Sequence, residues 1–292
     1  MSSIVTEQGI LHYESLGRGR PIILLHGWIN SWDVWRDSMI ALASSGLYRV
    51  YALDFWGFGE SAKETATTAF RMDSYVEMVH EFMNRLGIQQ SPIFGHSMGG
   101  TVALKMALNH PERVSRVAVV GSPINGKTLN PFLKLAGGNW ITNLPNAFQP
   151  VTEAVIMSTM KIVLNGDSQR VQEMITRDVQ KTTIDSFVRS IGDLYRTDLS
   201  EQIKTLQPPA LGIYGSRDNI VSPKNANVLS NLVNKAEVAM MEQSRHFPMA
   251  DEPERFVEIL SRFLQDGSSN GNSNGSVNGH HVHLNGSVNG KQ

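Results

Sequence analysis

Pro92-Ile93-Phe94-Gly95-His96-Ser97-Met98-Gly99-Gly100-Thr101-Val102-Ala103-Leu104 runs from a short β-prone stretch, through glycines bracketing a serine, into an amphipathic stretch. The five residues Gly95–Gly99 fit the pattern G-x-S-x-G. Their position gives that pattern mechanical meaning, because Pro92–Phe94 reads as a strand and Val102–Leu108 as a helix. A serine at such a junction stands on a sharp turn, with its hydroxyl exposed above the C-terminal edge of a sheet. The flanking glycines leave room for the turn and for close approach of strand and helix. The helix N-terminus adds positive potential where a tetrahedral oxyanion would form.

Outward from this junction, strand-like and helix-like runs alternate. Pro21–Leu25, Tyr48–Leu53, Val114–Val120, Ala210–Tyr214 and Glu237–Met241 are short and rich in apolar residues, as strands buried on both faces must be. Trp32–Ala43, Ser74–Leu86, Met98–Asn109, Asn225–Val233 and Pro253–Leu264 read as amphipathic helices. Such alternation predicts a parallel sheet with crossover helices. Ile4–Ser15, broken at Gly9, reads as an antiparallel hairpin at the sheet edge.

A serine hydroxyl is a weak nucleophile until a base takes its proton, and the base needs a third group to hold its tautomer. Two later loops supply them in the order Ser, Asp, His. Asp218 lies in Gly215-Ser216-Arg217-Asp218-Asn219, just after the strand run Ala210–Tyr214. His246 lies in Glu242-Gln243-Ser244-Arg245-His246-Phe247-Pro248, just after Glu237–Met241. All three loops open on the same edge of a parallel sheet, so Ser97, Asp218 and His246 are expected to converge as nucleophile, acid and base. The oxyanion hole is expected from the backbone N–H of Met98 and that of Trp28, in the loop Leu25-His26-Gly27-Trp28. His26 and His96 flank the turns and read as structural hydrogen-bonding residues, one base being enough for the mechanism. His96, Trp56 and Trp140 are nonetheless expected to border the substrate. The Gly-rich element Asp54-Phe55-Trp56-Gly57-Phe58-Gly59-Glu60-Ser61 lacks the lysine of a phosphate-cradling loop and reads as an aromatic turn beside the site.

Between Ser122 and Gln207 no strand is evident. Several helical runs are separated by Gly137-Gly138, Pro145 and Gly166, and an insertion of this length into a sheet domain is expected to act as a lid. Its apolar residues, among them Phe132, Trp140, Phe148, Ile156 and Met160, are read mainly as packing against the main domain, with part of the set facing a substrate cavity. From Asp266 the chain is Gly, Ser and Asn, with Asn-Gly-Ser-Val-Asn-Gly at residues 274–279 and again at 285–290. Such a tail cannot offset its conformational entropy by burial, so disorder is expected, with His280, His281 and His283 solvated rather than metal-binding.

The whole chain has 292 residues, of which 41% are hydrophobic, enough for a sizeable core. Lys and Arg total 26 against 27 Asp and Glu, so no field of one sign would draw in nucleic acid or an anionic membrane. With no cysteine, disulfides and thiolate nucleophiles or metal sites are excluded. The start of the chain does not read as a secretory signal, and no apolar run approaches the ~18 residues of a membrane span. The expectation is a soluble, cytoplasmic protein acting on a small molecule, without metal or organic cofactor. Oligomeric state is not legible.

The H-G-x loop, the D-x-x-G-x-G-x-S element, the G-H-S-M-G-G elbow, the G-x-x-D acid loop and the final H-F-P histidine together resemble the α/β-hydrolase superfamily. The resemblance spans Ile4–Phe263, and within the superfamily the chain looks like the cofactor-free, capped carboxylesterases, lipases and peroxidase-like hydrolases. It implies an eight-stranded, mostly parallel sheet with helices on both faces and a helical cap after the sixth strand, here Ser122–Gln207. The core domain would then be residues 1–121 and 208–265. Haloalkane dehalogenases and epoxide hydrolases of similar outline carry Asp where this chain has Ser97. The expected activity is hydrolysis of a carboxylic ester of a small hydrophobic substrate through an acyl-enzyme. Two other readings stay open from sequence: carbon–carbon hydrolysis of a vinylogous diketone by the same triad, and a triad-bearing small-molecule receptor.

Overall fold

The computed structural model describes residues 2–64, 68–136 and 167–265, without the side chains of Phe132, Leu135 and Ala136. Eight strands form one sheet: β1 (Ser2–Thr6), β2 (Gly9–Gly17), β3 (Arg20–Leu25), β4 (Tyr48–Leu53), β5 (Ser91–His96), β6 (Val114–Val120), β7 (Ala210–Gly215) and β8 (Ala236–Met241). Their spatial order is β1-β2-β4-β3-β5-β6-β7-β8. The first two make the expected antiparallel hairpin, and β2 joins β4 antiparallel; every later pairing is parallel. Burial follows position. In the interior strands Ile22–Leu25 of β3 and all of β7 are buried, whereas edge strand β1 alternates between half-buried and exposed.

The handedness of parallel crossovers sorts the helices. The connection β3→α1 (Arg36–Ser44)→β4 moves one way along the sheet. The connections β4→α2 (Met72–Arg85)→β5 and β5→α3 (Met98–Asn109)→β6 move the other way. Right-handed crossovers running in opposite directions lie on opposite faces. Thus α2 packs beside α3 on one face, and α1 packs on the other beside the last helix, Pro253–Gln265. The direction reverses between the neighbouring strands β3 and β5, and at such a switch point the loops beyond the strand C-termini part to leave a crevice. Those loops are the Leu25–Ser31 segment and the Ser97 turn.

Expected boundaries shift by a residue or two, with one change of type. The run from Trp32 begins as a 3-10 turn, Trp32–Trp35, before α1 starts at Arg36. Asp54 Oδ1 accepts the Trp32 N–H at 2.6 Å and the Ser31 carbonyl accepts from Val34, which ties this first turn to its neighbours. Between β6 and β7 the described helices are α4 (Pro131–Ala136), α5 (Gln169–Val179) and α6 (Ile184–Arg196). Polar contacts dock α5 and α6 on the sheet domain. Ser31 Oγ donates to Asp178 Oδ2 at 2.8 Å, Arg177 bridges Asp178 and Asp33, and Ser186 Oγ donates to the Gly57 carbonyl at 3.0 Å. No described helix is long and apolar enough to cross a membrane.

The junction of α3 with the sheet leaves no room for a side chain. A Cβ on Gly99 would lie 2.4 Å from the carbonyl oxygens of both Leu25 and His26. Backbone cannot yield as a flexible side chain does, so Gly99→Ala is expected to lower the unfolding free energy by about 3 kcal/mol, at the upper end of overpacking costs. Urea denaturation measures it, and an unchanged midpoint would mean that α3 and the β3 loop do not sit this close.

Candidate active site

Ser97 has φ 51 and ψ −117, a conformation that side-chain-bearing residues rarely adopt. The surroundings impose it. The Ser97 N–H donates to the Val120 carbonyl at 2.8 Å, and its own carbonyl accepts from Gly100 and Thr101 as α3 begins. Gly95 permits the crossing, since a Cβ there would meet the Gly99 carbonyl at 2.2 Å. The side chain is thereby turned up from the sheet edge, and strain of this kind is characteristic of functional turns.

Asp218 and His246 reach the same edge from β7 and β8. Their loops are stitched together: the Ser216 N–H donates to the Met241 carbonyl and the Arg217 N–H to that of Ser244. Asp218 Oδ1 accepts the N–H groups of Ile220 and Val221 at 2.8 and 3.0 Å, which leaves Oδ2 to accept from His246 Nδ1 at 2.7 Å. Both side chains are almost fully buried. A proton held on Nδ1 by a carboxylate leaves the Nε2 lone pair as the basic site of the ring. Among the described residues, Ser97 and His246 border one cavity. The core side of its wall is Trp28, Ile29, Asn30, Ile220 and Phe247; the segment between β6 and β7 contributes Leu129, Leu133, Ile175, Ile191 and Leu194. Apart from Ser97, His246 and the Asn30 amide, this is a hydrocarbon and aromatic surface.

The loop after β3 is equally constrained. The Asn30 N–H closes a turn on the Gly27 carbonyl at 3.2 Å, and Ile29 takes φ 56, unusual for a β-branched residue. Met98 is the first residue of α3, so its N–H is one that a helix leaves without an internal acceptor. The Trp28 indole leans on Phe187 of α6 at 4.2 Å between ring centroids, and its Nε1–H donates to the Phe187 carbonyl.

Two of the expected substrate contacts are corrected by this geometry. His96 is completely buried and absent from the cavity wall; its Nε2–H donates to the backbone carbonyl of His246 at 2.9 Å. Burial, with the neighbouring His246 charge adding to it, pushes its basicity well below that of a free imidazole, so the ring is neutral. Trp56 is also buried off the cavity, its carbonyl accepting from Tyr75 Oη at 3.1 Å. Aromatic residues beside a site can serve its supporting layer rather than its wall, and Trp56 does. Trp140 lies outside the described residues. His26 is a turn-holding residue, bonded through Nδ1 to the Gly27 carbonyl and through Nε2 to the Phe55 N–H.

Not anticipated from sequence were Asn30 and the wall residues Ile175, Ile191 and Leu194. The last three sit on the apolar stripes of α5 and α6, so the helical spacing Val171, Ile175 and Phe187, Ile191, Leu194 was the signal available. Among the described residues one grouping has metal-ligand composition, Glu77, His80 and His110. It lies at the far end of α3, about 18 Å along the helix from Ser97. Arg113 Nη1 already donates to His80 Nε2 at 2.9 Å, placing a guanidinium where a cation would have to bind.

The family model described as alpha/beta hydrolase fold matches residues 20–253. The chain belongs to that family. It is 27% identical to a pimeloyl-[acyl-carrier protein] methyl ester esterase of Aeromonas hydrophila, over 86% of this chain and 98% of that protein. A bifunctional epoxide hydrolase 2 of Rattus norvegicus is 38% identical over 41% of this chain and 22% of its own length. Among solved structures, a thermophilic esterase from Thermogutta terrifontis superposes with TM-score 0.77 at 20% identity, covering 88% of this chain and 94% of that one. A meta-cleavage product hydrolase from Pseudomonas fluorescens gives TM-score 0.74 at 24% identity, covering 91% and 98%. At these identities the superpositions speak for the fold alone.

One ionisable group beside the site carries a pH signature. Asp167, two residues before α5, lies 3.3 Å from Arg245, the residue before His246. Burial lifts its carboxyl from 3.8 to about 6; Arg245 and His246 pull it down, while Asp251 and Asp218 push it up. From about pH 4 to about pH 6 the folded protein therefore keeps a proton that the unfolded chain has released, so stability falls as pH rises through that window. Asp167→Asn lacks this penalty. Its unfolding free energy relative to wild type is expected to be greater at pH 7 than at pH 4, by urea denaturation at both. The reverse ordering would show that the Arg245 pairing outweighs burial.

Proposed function

We propose that the protein is a serine hydrolase that cleaves a carboxylic ester of a small hydrophobic molecule, with Ser97, His246 and Asp218 as its catalytic triad. The observation that carries the reading is the 2.7 Å contact of His246 Nδ1 with Asp218 Oδ2 at the edge of a cavity that Ser97 shares. Ser97 Oγ attacks the ester carbonyl as His246 Nε2 takes its proton, and the resulting imidazolium is stabilised by the Asp218 carboxylate. The N–H groups of Trp28 and Met98 receive the oxyanion; donors of this kind are worth about 3–4 kcal/mol each. Collapse of the tetrahedral intermediate breaks the C–O bond, and His246 returns the proton to the departing alcohol. Water then attacks the acyl-enzyme with His246 as base, releasing the acid and restoring Ser97.

The apolar wall supports a hydrophobic acyl or alcohol portion, since charge would be desolvated there without a partner. The segment between β6 and β7, about Ser122–Gln207, serves as the cap, its described residues supplying one side of that wall. The methyl ester esterase among the relatives agrees with ester cleavage by a chain of this length. Hydrolysis of p-nitrophenyl esters from acetate to long-chain acyl groups tests the reading. Wild type is expected to turn over many times, and Ser97→Ala and His246→Ala to lose at least ~10³-fold in kcat. Turnover that survives in Ser97→Ala would rule out Ser97 as nucleophile. Wild type inert towards every ester would remove the ester reading altogether.

A further inference from the structure

His96 is the last residue of β5, one peptide before Ser97, and it lies off the cavity wall. Its Nε2–H donates to the main-chain carbonyl of His246 at 2.9 Å. The ring also packs on the His246 and Phe247 rings, with centroids 4.8 Å away in each case. Its other edge meets the loop after β3. A Cβ on Gly27 would lie 2.7 Å from His96 Nδ1, so the imidazole fills the place where any other side chain would begin. One ring thus touches the loop carrying Trp28 and the loop carrying His246, while it is fixed to the residue before Ser97.

Filling space does not require a histidine; the hydrogen bond does require a donor. The His246 carbonyl lies in a loop past β8, beyond the sheet's ladder. The next carbonyl, that of Phe247, accepts from Ala250 and Asp251 of the short helix Pro248–Asp251, whereas that of His246 is met by a side chain from another strand. Burial holds the His96 ring neutral, and a neutral imidazole has a single N–H. With that proton on Nε2, Nδ1 is an acceptor. The Asn30 carboxamide lies beside it, 3.1 Å from the same Gly27 Cβ position, and with its Nδ2 turned that way it gives Nδ1 a donor. The tautomer of His96 is then held from both sides.

We propose that His96 is a positioning residue of the triad: its Nε2–H, held on the His246 carbonyl, sets the main chain of the base so that the His246 ring stays aligned between Asp218 and Ser97. The assignment rests on the triad reading above. Only two rotatable bonds separate the His246 ring from its main chain, so a shift of that carbonyl passes to the ring. A misplacement of about 1 Å between reacting groups costs roughly 10²-fold in rate. His96 itself touches neither substrate nor proton in flight.

The test compares His96→Gln, whose amide N–H can reach the same carbonyl, with His96→Leu and His96→Met, which fill the space without a donor. For each variant kcat and KM on p-nitrophenyl butyrate are measured, together with the thermal midpoint and the downfield proton NMR resonance of the His246 Nδ1–H. In the two apolar variants kcat is expected to fall by about 10–100-fold with KM little changed, and the resonance to broaden or move upfield. His96→Gln is expected to restore both. Wild-type kcat and resonance in a folded apolar variant would overturn the assignment and make the ring a filler. So would a Gln variant as impaired as the Leu one, losses confined to the thermal midpoint, or failure of both apolar variants to fold. Wild type inert on p-nitrophenyl esters of every chain length would instead overturn the ester reading; the resonance needs no substrate and still decides whether His96 positions His246.

Discussion

The site's geometry depends on a close approach of two segments, that of Gly99 to the carbonyls of Leu25 and His26. It joins the first turn of α3 to the loop leaving β3, two pieces of backbone that sequence order separates by some seventy residues. Because β3 and β5 are neighbours at the point where the crossovers change direction, the Ser97 turn and the Trp28 loop rise side by side from the sheet edge. Sheet register then sets how Ser97 stands to the nearby N–H groups, without reliance on a flexible segment. Both turns hold a non-glycine residue at positive φ, Ser97 and Ile29, and each is held by a backbone hydrogen bond, to Val120 and to Gly27. Strain of this sort survives only where its surroundings over-determine it.

The polar residues packed around these turns serve the backbone more than the chemistry. Irregular buried backbone cannot satisfy its N–H and C=O groups through a ladder, so side chains must do so. His26 meets the Gly27 carbonyl with one nitrogen and the Phe55 N–H with the other. Such a ring works only while neutral, and burial lowers its pKa accordingly, despite the opposing charge of Asp54. Asp54 accepts from the N–H groups of Trp32 and Glu60 and is paired with His12. Burial pushes its carboxyl up, but the hydrogen bond from His12 and the two N–H groups together hold it below the ordinary value. Asp54 thus ties the loop after β4 to the one carrying Trp28.

The same distinction explains what could be read from the sequence. Apolar runs of three to seven residues gave away the parallel strands, since interior strands covered by helices have no polar face. The placement of Ser97, Asp218 and His246 after β5, β7 and β8 was legible because each loop directly follows its strand, so topology alone brings them to one edge. Trp56 and His96 do not line the described cavity, because proximity along the chain to a site residue does not say on which side of the backbone a side chain falls. The wall residues of α5 and α6 belong to helices whose docking on the sheet domain depends on distant pairs such as Ser31–Asp178, which no local periodicity encodes.

That division between frame and wall has a consequence for how such a site can diversify. Ser97, Asp218 and His246 hang from strands whose spacing is fixed by backbone hydrogen bonds, so their arrangement tolerates little change. Leu129, Leu133, Ile175, Ile191 and Leu194 come from the segment between β6 and β7, and they can be exchanged without disturbing a single ladder. Relatives with the same frame can therefore act on different molecules at identities near 20%, and the fold by itself identifies none of their substrates.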